Sequence, residues 1–275
     1  MKPDAFQVVR DFERAVADYT GAPYVVAVNS CSMAILLAVA WHLSKQQAKV
    51  DQEAIDAGHG MKMIALRPPI EIPRRTYVSV PMSIIHAGGR PTFRDEDWVG
   101  AYQLKPLPVW DSARWFTSGM YSGNGRPVIG PNPQHFGFYG PGQMACTSHH
   151  WSKTLGIQQG GCILHDDPEA DAWLRRARFD GRTEGVSPKD DTFTQIGYHC
   201  YLSPEVAAEG LVRIQHLPRH NAPLPSDQYP DLSTLEIFKW TENSAAKRNL
   251  AKPSSQPSRT PRRRSPPSTG ITVTR

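Results

Sequence analysis

The sequence contains few cysteines, and their spacing excludes two classes of small protein. Only four occur among 275 residues, far apart and never as a CxxC pair: Cys31, Cys146, Cys162 and Cys200. A disulfide framework or a zinc site is recognised by paired, closely spaced cysteines. We therefore expect reduced, mostly buried thiols in a cytosolic protein.

Long apolar runs are also absent. No stretch approaches the roughly eighteen residues that a membrane-spanning helix requires, and the first residues lack the apolar core of a secretory signal. The sequence therefore predicts a cytoplasmic protein with no membrane partner. With 39% hydrophobic residues, the chain can bury one large core or two modest ones.

Net charge is low outside one terminal segment. The chain carries +5 in total, but residues 241–275 hold eight Lys or Arg against Glu242 alone, which leaves −2 on residues 1–240. A domain with so small a net charge does not indicate nucleic-acid binding. The terminal segment is rich in Pro and Ser, so the sequence predicts a disordered basic tail at 241–275 after a domain at 1–240.

Short apolar runs alternate with amphipathic or apolar helical patterns along the domain. Strands are predicted at 24–28, 62–66, 91–94, 107–110, 144–146 and 162–164, and helices at 4–19, 33–41, 80–86, 170–179 and 204–217. A proline-rich loop is predicted between the second strand and Thr76. This alternation is typical of an α/β fold with a mainly parallel sheet, whose ligands bind at the carboxyl ends of strands.

One lysine lies in a loop between two of these strands. Lys153 follows the strand at 144–146, has hydroxyls nearby at Ser148 and Ser152, and precedes a glycine pair at 160–161. A lysine at such a junction suits covalent chemistry on a carbonyl, for which its pKa must be lowered. A solvated surface lysine is the alternative for any single Lys.

A small polar turn, Asn-Ser-Cys-Ser at 29–32, joins the first strand to an apolar helix. Free backbone N–H groups and the helix dipole at such a turn favour an anion. Because serine is a common helix cap, ordinary capping is the alternative interpretation.

Six segments carry a family resemblance through their shared order and spacing. They are VNSCSMA at 28–34, TYVS at 76–79, AGGRPTFRD at 87–95, WDSA at 110–113, residues 148–161, and GYHCYLSPEVAA at 197–208. Together they make the chain, from about residue 8 to 217, resemble the DegT/DnrJ/EryC1/StrS family of sugar aminotransferases. The resemblance implies the aspartate aminotransferase (type I) fold and the cofactor pyridoxal 5'-phosphate (PLP).

The resemblance gives three residues a role at the cofactor ring. Lys153 matches the lysine that forms the internal aldimine with PLP and then moves a proton. Asp111 matches the aspartate that pairs with the pyridine nitrogen, which makes the ring an electron sink. Tyr77 matches an aromatic residue stacked on the ring. Taken alone, Asp111 could cap a helix and Tyr77 could be ordinary core packing.

The resemblance assigns the cofactor phosphate to a second group of residues. These are Ser32 with the backbone at Cys31, and Ser148, although Ser148 alone could be a plain strand-end hydroxyl. Adjacent histidines on a strand point to opposite faces, so joint metal binding by His149 and His150 is not expected.

Two positions depart from the family pattern. Arg114 stands where the family usually has a glutamine that bonds the phenolic oxygen of the cofactor. His199 and Tyr201 replace the Asn and Arg of a GYNxR-like segment. Because that Asn reaches the cofactor phosphate of a neighbouring subunit, His199 is the candidate donor there, and a homodimer is expected.

The chain also lacks room for two parts of the family fold. Asp95 and Asp111 are too close in sequence for the strand and crossover helix that the family places between them. Only a remnant of the small domain follows about residue 218. We therefore expect the large domain of a type I PLP-dependent transferase with one βα unit missing and the C-terminal small domain reduced.

Three functions remain open at this point. The first is PLP-dependent transfer of an amino group from an amino acid, glutamate by expectation, to a keto-sugar nucleotide through Lys153. The second is a degenerate protein of this fold that binds cofactor or a partner without efficient turnover. The third makes the basic tail an arm for nucleic acid or an anionic surface.

Overall fold

A computed structural model describes residues 4–56, 67–121, 139–225 and 228–239. The described residues all belong to one compact unit, Met1–Lys239. The predicted strand at 62–66 and the predicted tail at 241–275 lie outside them. In the described part, no helix is both long and apolar enough to cross a membrane.

Among the described residues, five α-helices form at the places that the sequence patterns indicate. They are α1 (Gln7–Thr20), α2 (Cys31–Asp56), α3 (Ser79–His86), α4 (Pro168–Ala177) and α5 (Pro204–Ile214). Helix α1 ends at Gly21, whose φ of 82° suits glycine. Helix α2 extends well beyond the predicted 33–41, because good helix formers continue after its apolar segment.

The main sheet has five strands in the order β1-β7-β6-β5-β4. They are β1 (Tyr24–Val28), β4 (Tyr102–Gln103), β5 (Val109–Ser112), β6 (Met144–Ser148) and β7 (Gly161–His165). A separate pair, β2 (Pro69–Pro73) and β3 (Arg90–Arg94), is parallel.

The prediction of a mainly parallel sheet is wrong in this detail, because the main sheet is mixed. Only β5 and β6 pair in parallel, whereas β7 is antiparallel to both β1 and β6, and β4 is antiparallel to β5. Continuous apolar runs indicate strands buried on both faces, and they do not fix direction. Strands β1, β5 and β6 nevertheless run the same way, so their carboxyl ends meet at one edge.

The interval between Asp95 and Asp111 contains a hairpin. Strand β4 turns back into β5 within this segment, and no helix occurs there. This agrees with the expected absence of one βα unit.

Strand β2 lies in the segment that the sequence predicts to be a proline-rich loop. Its two prolines, Pro69 and Pro73, occupy the first and last positions of the strand. At the ends of a strand, the hydrogen bonds that proline cannot make cost least.

Two apolar clusters cover the two faces of the main sheet. In β1, Val26 and Val28 face the cluster that contains α2, while Val25 and Ala27 face the one that contains α1 and α5. All four cysteines are buried and unpaired, as expected. The sheet therefore lies between helices. A site can form at the edge where β1, β5 and β6 have their carboxyl ends.

Candidate active site

A cavity of about 390 Å³ opens at the carboxyl ends of β1, β5 and β6. Seven of the eight residues predicted for the site line it: Cys31, Ser32, Tyr77, Asp111, Arg114, Ser148 and Lys153. These residues are spread over more than a hundred positions of sequence. The fold brings most of them together because β1, β5 and β6 end at one edge of the main sheet, whereas Tyr77 follows β2 of the separate pair.

The first turn of α2 forms one wall of this cavity. Ser30 caps the helix, since its Oγ accepts a hydrogen bond from the Met33 N–H at 3.3 Å. The Ser32 Oγ lies 2.6 Å from the Ser79 Oγ at the start of α3, and the Ser83 Oγ donates to the Ser32 carbonyl at 2.9 Å. A long helix begins here with hydroxyls beside it, which is an arrangement that binds anions.

Gly161 allows β7 to approach this helix start closely. A Cβ at this position would lie 2.6 Å from the Cys31 nitrogen and 2.8 Å from the Thr147 carbonyl oxygen. Both are backbone atoms of elements that line the cavity. The glycine pair noted in the sequence therefore has a packing role at the site, which was not part of the prediction.

Asp111 forms the floor and is 4% exposed. One carboxylate oxygen accepts from the Tyr102 hydroxyl at 2.7 Å, and the other accepts from the Ala113 N–H at 2.9 Å. Burial raises the pKa of Asp111 above its usual value, although these hydrogen bonds and the positive charges of Lys153 and Arg114 oppose the shift. The carboxylate would therefore gain from a further positive partner.

Lys153 lies in the loop that joins β6 to β7. Its backbone N–H donates to the His150 carbonyl at 2.7 Å, which closes a tight turn directly after β6. Ser148, at the end of β6, is also in the cavity wall and is 8% exposed. The turn therefore presents the lysine to the same space as Asp111 and the start of α2.

The two adjacent histidines lie on opposite sides of this turn. His149 is fully buried and packs edge-on against Phe12 and Phe116, with ring centroids 5.9 and 4.9 Å away. Burial lowers the pKa of His149 to about 3. His150 lines the cavity. Neither histidine is on a strand, because β6 ends at Ser148, and the two side chains have different surroundings.

Three aromatic residues and an arginine form the outer wall of the cavity. Tyr229 stacks on Trp98 with centroids 6.3 Å apart and ring planes at 11°, and its edge meets Tyr77 at 6.4 Å. Its hydroxyl lies 3.5 Å from an Arg114 guanidinium nitrogen. Trp98 and Tyr229 were not predicted, because neither belongs to a periodic or family-like segment.

His199 does not line the cavity. Its Nδ1 lies 2.8 Å from an Asp180 carboxylate oxygen, and its ring packs edge-on against Tyr201 at 4.9 Å. The role expected for His199 concerns the site of a neighbouring subunit, so it stays a prediction.

Part of the sequence is similar to a known protein family. Residues 5–107 match the sequence model of the DegT/DnrJ/EryC1/StrS aminotransferase family. No curated protein matched the sequence.

Several solved structures share the fold at low sequence identity. The complex of S. venezuelae DesV with a ketimine intermediate is 17% identical, with a TM-score of 0.51 and coverage of 76% of this chain and 56% of that one. The sugar aminotransferase CalS13 from Micromonospora echinospora is 18% identical, with a TM-score of 0.53 and coverage of 78% and 62%. Helicobacter pylori PseC, an aminotransferase of pseudoaminic acid biosynthesis, is 13% identical, with a TM-score of 0.52 and coverage of 78% and 63%.

The chain thus spans about three fifths of the length of these structures. The fold class predicted from the sequence is confirmed, and the cofactor that the resemblance implies is the one used by the family that the sequence model describes. Over residues 5–107 the chain is similar to the DegT/DnrJ/EryC1/StrS aminotransferases, and its described part has a shortened form of the fold of PLP-dependent sugar aminotransferases.

Proposed function

We propose that this protein is a PLP-dependent aminotransferase that moves an amino group from an amino acid, with glutamate as the expected donor, to a keto-sugar nucleotide. One observation carries the proposal. Lys153, Asp111 and the first turn of α2 open onto a single cavity at the carboxyl ends of three strands.

The chemistry of the lining residues fits the cofactor. Asp111 is a buried carboxylate whose pKa burial raises despite the charges of Lys153 and Arg114, and a protonated ring nitrogen would add a further positive charge beside it. The N–H groups of the α2 start, with the Ser32 and Ser148 hydroxyls, suit a phosphate. Tyr77 lines the cavity and is 56% exposed, so its ring is accessible to a ligand there.

Each residue then has a defined task. When bound, PLP supplies an electron sink for negative charge on the substrate carbon. The Lys153 amine would hold the cofactor covalently and would serve as the proton carrier at that carbon. Asp111 would pair with the ring nitrogen and favour its protonated form, and Arg114 would donate to the phenolic oxygen. Tethering the phosphate at α2 fixes the orientation in which these groups meet.

A degenerate protein that binds PLP without efficient turnover is the second candidate. Arg114 at a position where the family has glutamine brings a fixed charge to the ring, and the hairpin at β4 and β5 replaces a βα unit. Both changes favour this alternative, which shares the cofactor site and differs only in turnover.

Cofactor attachment is tested by borohydride trapping. Protein incubated with PLP should be yellow and, after reduction and digestion, should carry the pyridoxyl mass on the peptide that contains Lys153. Lys153→Ala should lose both signals, whereas Lys189→Ala, an exposed lysine outside the cavity, should keep them. A colourless protein with no adduct, or an adduct elsewhere, would contradict both candidates.

Turnover distinguishes the two candidates. Glutamate added to the loaded protein should bleach the absorbance of the attached cofactor and release 2-oxoglutarate if the first candidate is correct. Retained absorbance would select the degenerate protein.

Two other expectations are checked separately. Light scattering tests the expected homodimer. Salt-dependent nucleic-acid retention, with and without residues 241–275, tests the tail function.

A further inference from the structure

The hairpin of β4 and β5 supplies a tyrosine that lies next to Asp111. In the antiparallel pairing of the two strands, Tyr102 is directly opposite Asp111. Side chains at opposite positions of such a pair lie on the same face of the sheet. Both residues are buried, but Asp111 lines the cavity and Tyr102 does not. The hairpin therefore places a phenol beside the floor of the cavity and outside it.

A chain of hydrogen bonds runs from Thr76 through Tyr102 to Asp111. The Tyr102 hydroxyl donates to one Asp111 carboxylate oxygen at 2.7 Å, and the Thr76 hydroxyl oxygen lies 2.6 Å from the Tyr102 oxygen. Because an ionised carboxylate can only accept, the single Tyr102 proton is directed at Asp111, and Thr76 donates to Tyr102. All three residues are buried, and consecutive hydrogen bonds in such surroundings strengthen one another.

The ring of Tyr102 is held in place by its neighbours. Trp98 packs edge-on against it with centroids 4.8 Å apart. The Trp98 indole N–H in turn donates to the Arg75 carbonyl at 2.9 Å. The hairpin backbone is fixed next to Tyr102, since the Leu104 N–H donates to the Val109 carbonyl at 2.8 Å. The direction of the Tyr102 hydroxyl is thus set by packing, as a group that orients another requires.

Other titratable groups from several elements lie near Asp111. They are the cations Lys153 and Arg114, the thiols of Cys31 and Cys146, and the hydroxyl of Tyr139. The cations favour the ionised carboxylate. Burial raises the pKa of both thiols and of the Tyr139 hydroxyl, so these groups are neutral at pH 7. Burial also raises the pKa of Tyr102, which therefore keeps the proton that it donates.

We propose that Tyr102 is a positioning residue for Asp111, whose hydroxyl holds one carboxylate oxygen so that the carboxylate can pair with the ring nitrogen of PLP. The inference rests on the proposed function, because it takes that nitrogen to be the partner of Asp111. Tyr102 acts through Asp111 and does not itself line the cavity. The proposal also gives a role in the site to the hairpin between Asp95 and Asp111.

The titration of Asp111 in the cofactor-free protein tests the proposal without any activity. Carbon-13 NMR of labelled aspartate carboxyls measures it, with the Asp111 signal assigned from its loss in Asp111→Asn. In Tyr102→Phe, which keeps the ring, Asp111 should titrate at higher pH than in wild type, because a donor to its charged form is lost. Tyr121→Phe is the matched control. This buried tyrosine lies outside the cavity and donates to the Gln143 carbonyl at 2.9 Å, so its loss should leave the Asp111 titration unchanged.

PLP affinity is the second measurement. Tyr102→Phe should raise the Kd for PLP about fivefold or more, whereas Tyr121→Phe should change it less than about twofold. Each variant loses one hydroxyl that donates a buried hydrogen bond, so thermal unfolding should show similar losses of stability. A difference in Kd at similar stability is the result that a merely structural role would not give.

A wild-type measurement covers the case in which Tyr102→Phe does not fold. The NMR signal of the Tyr102 Cζ should change with pH together with the Asp111 carboxyl signal. Independent titration of the two groups would overturn the proposal, as would an Asp111 titration or a PLP affinity that Tyr102→Phe leaves unchanged. Failure of wild-type Lys153 to carry the pyridoxyl group would instead overturn the proposed function.

Discussion

Asp111 illustrates how a residue of the candidate site can oppose stability in the protein without cofactor. Burial disfavours its charge more than the surrounding hydrogen bonds and cations favour it. Asparagine resembles the neutral form of this side chain. Its oxygen could accept from Ala113, and its NH₂ could donate to Tyr102, whose hydroxyl could then donate to Thr76, 2.6 Å away.

Asp111→Asn should therefore raise the free energy of unfolding of the cofactor-free protein at pH 7. The folded-state pKa of Asp111 lies above its unfolded value near 3.8. The penalty is therefore absent below the unfolded pKa, grows as pH rises from there to the folded pKa, and is constant above it. Urea unfolding from pH 4 to 8 measures this difference. A variant less stable than wild type at pH 7 would contradict the prediction.

The same substitution should have the opposite effect once PLP is present. Without a carboxylate at the ring nitrogen, Asp111→Asn should bind PLP more weakly and lose most turnover. Cofactor titration followed by absorbance checks this. Asp97→Asn, an exposed aspartate outside the cavity, serves as the control and should match wild type in stability and in PLP affinity.

Lys153, Asp111 and Ser148 could be predicted because each closely follows or ends a short apolar strand, and the carboxyl ends of parallel strands share an edge. Tyr229 and Trp98 could not. Their place in the cavity depends on a segment that returns from the end of the described chain and on a hairpin that replaces a crossover. No local pattern encodes either contact.

The junction between β7 and α2 depends on one glycine. A methyl group at Gly161 would approach backbone atoms of Cys31, Ser30 and Thr147 to 2.6–2.8 Å, and backbone cannot rotate away as a side chain can. Gly161→Ala should lower the free energy of unfolding by about 2–4 kcal/mol and weaken PLP binding, because the helix start that is proposed to hold the phosphate must move.

Gly140→Ala provides the matched comparison. A Cβ there would meet nothing within 4 Å, so its effect should stay within about 0.5 kcal/mol. Thermal unfolding with and without PLP separates the loss of stability from the loss of binding. If Gly161→Ala behaved like Gly140→Ala, the close approach would have no energetic consequence.

Strand direction and short strands were the least predictable features among the elements. Helix α1 follows from its amphipathic period, and β1 from its apolar run. Strand β4 has only two residues, and β2 begins and ends with proline, so neither has a periodic signal. The hydrogen bonds that define them come from partners distant in sequence, as in the bridge between Glu71 and Lys105.

A buried ion-pair network joins α1, β1 and the end of α4, away from the cavity. Glu13 is 5% exposed; it accepts from the Ala27 N–H at 2.8 Å and from Arg175 at 2.7 Å, and it pairs with Arg178, which is 1% exposed. Arg178 also donates to the Ala27 carbonyl at 2.7 Å. Without Glu13, the buried Arg178 would keep only Glu184, at 3.3 Å, and Arg175 only Asp171, at 2.8 Å, as carboxylate partners among the described residues. Loss of the central charge from a buried network is costly.

Glu13→Gln should therefore destabilise the whole domain by about 3–5 kcal/mol at pH 7. Although burial opposes it, the two arginines hold the pKa of Glu13 below its usual value of 4.5. Its contribution is thus fully present above that value and is lost as pH falls through the folded pKa. The difference in the free energy of unfolding between variant and wild type should shrink in urea unfolding as pH is lowered from 7 to 3.

Glu53→Gln is the control, because it removes only an exposed pair with Lys49, at 3.9 Å, and should cost less than about 0.5 kcal/mol at any pH. Similar curves for the two variants would show that the buried network does not hold these elements together.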